Sequence, residues 1–308
     1  MKLHEYPFLV QSEILHNIDY QDLFLLSFVS NKMKNLIKSS QNNRFKNIRS
    51  ISYNCYGNRR PIVDILLENG QKEDLLAVTK RQLQKFETFR HKPDYFQLNV
   101  FGKLIDFTLY KDYIYGYKGH TVATFNPHES ASVIESIHNY ILNFLGDSVE
   151  YYWRTSDHVM NIPKLQNVSA CMKMWYILSV TDDLNDFFSA APDFKSISIK
   201  TTRPRELVRP DSKFYHAESI DTFQTHITFP DIFHHFQGKR AFITCMDCEM
   251  FHLIDFVNRW KSGEAFQKLE LLSVEVYDGI PQEEVLNDIG AKHIVASKTP
   301  PTHAVPKM

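Results

Sequence analysis

Cysteine and histidine are the residues here best able to hold a metal or attack a substrate, and several gather in one stretch. Cys245-x-x-Cys248 is the only cysteine pair at ligand spacing, with His226, His234, His235 and His252 near it in sequence. A structural zinc site needs four such ligands, commonly two paired sets. Cys55 and Cys171 stand singly and far away. Cys245 falls at the end of an expected strand, where a free thiol packs as a small hydrophobe. The expectation is no metal and no cofactor. Nucleophilic and phosphate chemistry have no better footing, because the chain carries no G-x-S-x-G elbow, no G-x-x-x-x-G-K-[ST] loop and no G-x-G-x-x-G after a strand. Asp182-Asp183 and Glu283-Glu284 suit the first turns of helices, where negative charge meets the helix dipole. No catalytic residue is expected, and the chain reads as a non-enzyme.

Aromatic side chains are the other feature with binding chemistry. In a strand, Tyr113, Tyr115 and Tyr117 project from one face and Ile114 from the other. One reading is a face packed on a neighbouring layer, since aromatics mostly bury themselves. The other is an exposed anchor patch for a target protein, since Tyr is enriched at binding hot spots.

The elements around these residues start with three short helices. Pro7 suits a helix entry, where its missing N–H is not needed, and Leu9, Ile14, Leu15 and Ile18 follow at helical spacing. Asp19 is placed to cap a second helix carrying Asp22, Leu23 and Leu26, and Ser30 to cap a third carrying Met33, Leu36 and Ile37. A forty-residue segment buries too little surface to stand alone, so it must dock on something.

These residues resemble the F-box, the adaptor-binding module of SCF-type ubiquitin ligases, over residues 4–45. The match rests on Tyr6-Pro7, Glu13-Ile14-Leu15, Asp22-Leu23 and Ser27-Phe28-Val29-Ser30. Tyr6 replaces the family's usual Leu, and Lys34 stands near a frequent Trp position. The resemblance implies a substrate-receptor subunit that docks on a Skp-family adaptor and through it on a cullin and a RING protein. Pro7, Leu9, Ile14, Leu15, Leu23, Leu26 and Val29 are then the candidate adaptor contacts. Some of the seven must instead hold the helices together.

Composition sets the bounds. The chain has 308 residues, 43% of them apolar, with 10 glycines and a formal net charge of -1. A sizeable core is available, long flexible linkers are not, and no global field recruits nucleic acid. The first sixty residues are locally basic, with nine Lys/Arg against four acids, which suits an acidic partner such as the adaptors of the F-box family. Nothing resembles a signal peptide, no segment approaches the roughly 20 apolar residues that span a bilayer, and four cysteines suit a reducing compartment. The expected location is cytoplasmic or nuclear, with no membrane and no nucleic-acid partner.

The rest reads as an α/β (α+β overall) chain. Residues 46–127 form a β-rich connecting region read as an antiparallel meander, with a helix over Leu75 to Phe89. Residues 128–295 form an α/β domain in which Ser132-x-x-Glu135 is a capping box opening an amphipathic helix. Two strand–helix–strand units follow, one from Trp175 through Phe194 to Ile199, the other from Ala241 through Trp260 to Val276. Such units place their strands parallel and stack into a leucine-rich-repeat-like layer. This region resembles the F-box-associated domain of large nematode F-box families. The residues carrying that likeness are Asp231-Ile232, Gly238-Lys239-Arg240-Ala241, Leu253-x-x-Phe256-Val257-x-x-Trp260, Gly263 and Leu269-Glu270-x-Leu272-Ser273-Val274. Residues 296–308, with Pro300, Pro301 and Pro306, read as a disordered tail. The alternative to a ligase receptor is a repeat-type binding scaffold unconnected to ubiquitin.

Overall fold

The structure, a computed structural model, describes residues 3–55, 61–80, 95–110, 120–158, 161–177, 182–201, 208–224, 229–245, 249–277 and 282–290. The fold is mixed α/β, with N-terminal helices followed by strands and helices. It divides into two compact units, residues 1–175 with 181–198, and residues 176–180 with 199–308.

The first unit opens with α1 (Phe8–His16), α2 (Tyr20–Ser27), α3 (Asn31–Ser40) and the short α4 (Asn42–Phe45). The Ser30 side chain caps α3 as expected, accepting from the Met33 amide at 3.1 Å. Six strands follow: β1 (Ile48–Cys55), β2 (Ile62–Leu67), β3 (Lys72–Lys80), β4 (Tyr95–Val100), β5 (Lys103–Tyr110) and β6 (His120–Phe125). Then come α5 (Ser130–Leu145), β7 (Glu150–Thr155), β8 (Val168–Ile177), α6 (Asp182–Ala190) and β9 (Phe194–Thr201). Strand order is β9-β8-β7-β1-β2-β3-β6-β5-β4.

Three expectations need correcting. Residues 75–80 are strand, not helix: β3 pairs antiparallel with β2 and parallel with β6. Lys72 to Lys80 is rich in helix formers, but ladder pairing on both sides overrides that weak preference. The connecting region is not one meander either. The antiparallel sets β1-β2-β3 and β6-β5-β4 join through the parallel pair of β3 and β6. Finally, α5 starts at Ser130, so Ser132 lies inside its first turn and donates to the Glu129 carbonyl at 3.0 Å rather than capping.

The core of this unit sits between α5 and one sheet face. Tyr53 of β1 and Trp153 of β7 stack at 5.8 Å, both almost wholly buried. His138 of α5 lies beside them with no exposed surface. Its Nε2 is 2.8 Å from the Gln166 carbonyl, which can only accept, so Nε2 carries the proton and Nδ1 accepts from the Tyr53 hydroxyl at 2.9 Å. Burial holds the His138 pKa below the ordinary range, against the Gln166 contact that raises it.

The second unit holds β10 (Ser219–Gln224), α7 (Phe229–His235), β11 (Arg240–Cys245), α8 (Met250–Lys261), β12 (Leu271–Val276) and α9 (Gln282–Asp288). Strands β10, β11 and β12 are parallel neighbours, as the strand–helix–strand pattern requires. The turn before β11 brings Gly238 against the Ala217 carbonyl, where a Cβ would lie 2.0 Å from that oxygen. No other residue fits there without moving the backbone.

Asp64 is a buried carboxylate inside the first unit. It bonds Asn54 of β1 and Lys72 of β3, and faces Asp74 across the ladder and Ser52 on the other side. Burial raises its pKa from 3.8 to about 6; Lys72 opposes that rise and Asp74 adds to it. The folded chain therefore binds this proton more tightly than the unfolded chain. The resulting stability is present below about pH 4 and is lost as pH rises through 6, on the order of 2–3 kcal/mol. His138 works in the opposite sense, losing stability as pH falls below its ordinary value. Urea unfolding between pH 4 and pH 7 should show the Asp64 component in the native chain and not in Asp64→Asn.

Candidate functional site

The N-terminal helices present two kinds of surface. Their inner face is aromatic. Phe24 meets Tyr140 edge-on at 5.7 Å, Phe28 stacks on Tyr140 at 4.0 Å, and Phe45 meets Phe144 at 5.4 Å. Polar contacts fix the same seam: Ser27 and Tyr140 hydroxyls lie 2.8 Å apart, and Gln21 donates to Thr121 at 2.8 Å. Lys34 donates to the Asn143 side chain at 2.5 Å and sits over the Tyr140 ring, while Lys38 donates to the Asn143 carbonyl at 2.9 Å. The segment that cannot bury its own surface thus docks on α5 of the same chain.

The outer face is apolar and uncovered. Leu9 is 81% exposed, Val29 69% and Phe8 53%, and Tyr6 and Val10 are also exposed. This sorts the seven residues expected at an adaptor surface. Pro7, Leu9 and Val29 are exposed, and Ile14 and Leu26 are half-buried. Leu15 and Leu23 have no exposed surface and serve the interior. Phe8 and Val10 were missed by spacing alone. The signal was available: at 100° per residue, the three consecutive apolar side chains Phe8-Leu9-Val10 cannot all face inward.

Of the remaining candidates, three histidines gather: the His234 ring centre lies 6.3 Å from those of both His235 and His252. Tyr113, Tyr115 and Tyr117 lie outside the described residues, as do His226 and Cys248. Cys245 is buried at the end of β11. Among the described residues, no group of His, Cys, Asp and Glu is placed to hold a metal ion, and no helix is long and apolar enough to cross a membrane. A recess of about 530 Å³ beside the C-terminal end of α5 is lined by Asn139, Asn143, Gln166, Asn167 and Phe101, with Asp147 its one titratable lining group among the described residues.

Residues 7–45 match the F-box domain family. The match covers α1 to α4, the segment whose outer apolar face is uncovered. No curated protein and no solved structure matches the chain.

The two faces of the F-box make opposite demands on substitution. Leu23→Ala should cost about 2–5 kcal/mol, because it empties a closed interior. Leu9→Asp should change stability by no more than about 0.5 kcal/mol, because the side chain is already in water. Chemical denaturation of the two variants measures both.

Proposed function

We propose that this chain is a substrate-receptor subunit of an SCF-type ubiquitin ligase, tied to a Skp-family adaptor by its F-box and through the adaptor to a cullin and a RING protein. The observation that carries the reading is the F-box match at residues 7–45 on a segment that keeps Leu9 and Val29 outside while Leu15 and Leu23 close the interior. Helices laid into an apolar groove are a standard way for one protein to hold another. Pro7, Leu9 and Val29 are the first candidates for that contact, with Ile14 and Leu26 at its edge.

No chemistry is asked of this chain in that role. Tethering a target beside a charged conjugating enzyme raises its effective concentration, and that suffices. The division we propose is F-box at 4–45, connecting region at 46–127, F-box-associated domain of the nematode type at 128–295 and tail at 296–308, acting in the cytoplasm or nucleus.

Co-purification with a Skp-family adaptor tests the reading. The native chain should retain the adaptor, and Leu9→Asp with Val29→Asp should lose it at least ten-fold without a change in unfolding midpoint. Retention by the double variant would remove the outer face from the contact. Failure of the native, folded chain to bind would remove the ligase reading itself.

A further inference from the structure

The recess beside the C-terminal end of α5 has no assigned role, and strained backbone surrounds it. Phe101 and Gly102 form the two-residue turn between β4 and β5, with Val100 and Lys103 paired across it. Both turn residues have left-handed backbone, φ 52° and 87°. Such turns favour Asn-Gly, because a bulky side chain is strained there. Burial does not explain a phenylalanine in that place, since Phe101 is 59% exposed. Asn167 is left-handed too, so the recess is lined by two of the three non-glycine residues of this kind among the described residues. Strain that packing does not explain clusters at binding sites.

The polar groups of the lining are unoccupied. The side chains of Asn139, Gln166 and Asn167 make no hydrogen bond among the described residues, and the exposed Asp147 carboxylate has no ion pair there. Gly146 and Asp147 follow directly on the end of α5, where the helix dipole is negative and the last turn holds no basic residue of its own. The cations nearby are already engaged. Lys34 and Lys38 hold Asn143, Lys34 also lies over the Tyr140 ring, and Lys103 is bound by Ser132 and Glu129. Lys164, two residues before Gln166, does not line the recess.

We infer that this recess receives an arginine side chain from a segment of the target protein. The inference deepens the proposed function and rests on it for the identity of the partner as a ligase target. A guanidinium answers every feature of the lining at once. Its plane stacks on an aromatic ring such as that of Phe101. Its forked N–H groups match a carboxylate in bidentate fashion, the part of Asp147, and its remaining donors suit the amide oxygens of Asn139, Gln166 and Asn167. An anion would meet Asp147 and the negative end of α5. An apolar group would take water from the carboxamides and put nothing in its place. Lysine offers a point charge with no plane to lay on the ring. The volume of about 530 Å³ holds one long side chain with part of its main chain.

Fluorescence anisotropy with the full-length chain and a labelled Gly-Ser peptide carrying one central arginine tests this, with adaptor co-purification measured on the same samples. Matched peptides carry lysine, glutamate or citrulline instead; citrulline keeps the length and plane of arginine and removes its charge. The arginine peptide should bind at least ten-fold tighter than the other three. Asp147→Asn and Phe101→Asn should each weaken it at least ten-fold, while Glu135→Gln, which removes an exposed acid elsewhere on α5, alters it less than two-fold. Phe101→Asn should leave the unfolding midpoint unchanged or raise it, because asparagine suits the turn. Adaptor binding should be unchanged in all three variants. Absence of arginine-peptide binding, equal binding of the citrulline peptide, retained binding by Phe101→Asn, or an equal loss with Glu135→Gln would overturn the inference. Loss of the adaptor from the native chain with the arginine pattern intact would leave the recess standing and remove only the ligase reading.

Discussion

The seam between the F-box helices and α5 is the constraint on which the first unit depends. Four short helices of about forty residues have more apolar surface than they can enclose. One side is satisfied within the chain, where Phe24, Phe28 and Phe45 close on Tyr140 and Phe144. Aromatic pairs of this kind contribute about 0.5–1.5 kcal/mol beyond the area they bury. The lysines of α3 add directional contacts to Asn143, so the helices are held in one orientation as well as attached.

Helix α5 can serve as the seat because it is buried on two sides. Ile137, His138 and Ile141 are closed off from solvent, and so are Tyr140 and Phe144 on the F-box side. His138 is the polar pin on the sheet side, joining Tyr53 on β1 to the Gln166 carbonyl with both ring nitrogens occupied. Ordinary helical periodicity would place an apolar residue at this position. A histidine is tolerated because each nitrogen has a partner and burial keeps the ring neutral.

Local patterns were legible in the sequence, and pairings were not. Ser30 announces its cap by residue type and by the apolar run that follows it, and the parallel strands β11 and β12 follow from the helix between them. The β10–α7–β11 repeat was missed because α7 is only seven residues long and carries two histidines at its end. Strand β3 was misread because its residues favour a helix until β2 and β6 claim their backbone groups. At the site, spacing found the apolar helix positions but could not say which way each pointed. That depends on α5, more than a hundred residues along the chain, whose Tyr140 turns one face of α2 into interior. The ion pair of Lys195 on β9 with Glu150 on β7 left no sequence signal, because it forms only through strands set side by side.

The F-box helices, α5, β7 and the residues of β8 up to Trp175 fall within one compact unit. A partner held by this unit would therefore travel with the F-box helices as part of a single lever arm. In the proposed role, such an arm sets a fixed radius. Lysines of the captive at that distance would come within range of the conjugating enzyme, and nearer or farther ones would be spared, so the choice of modified lysine would be a matter of geometry more than of local sequence.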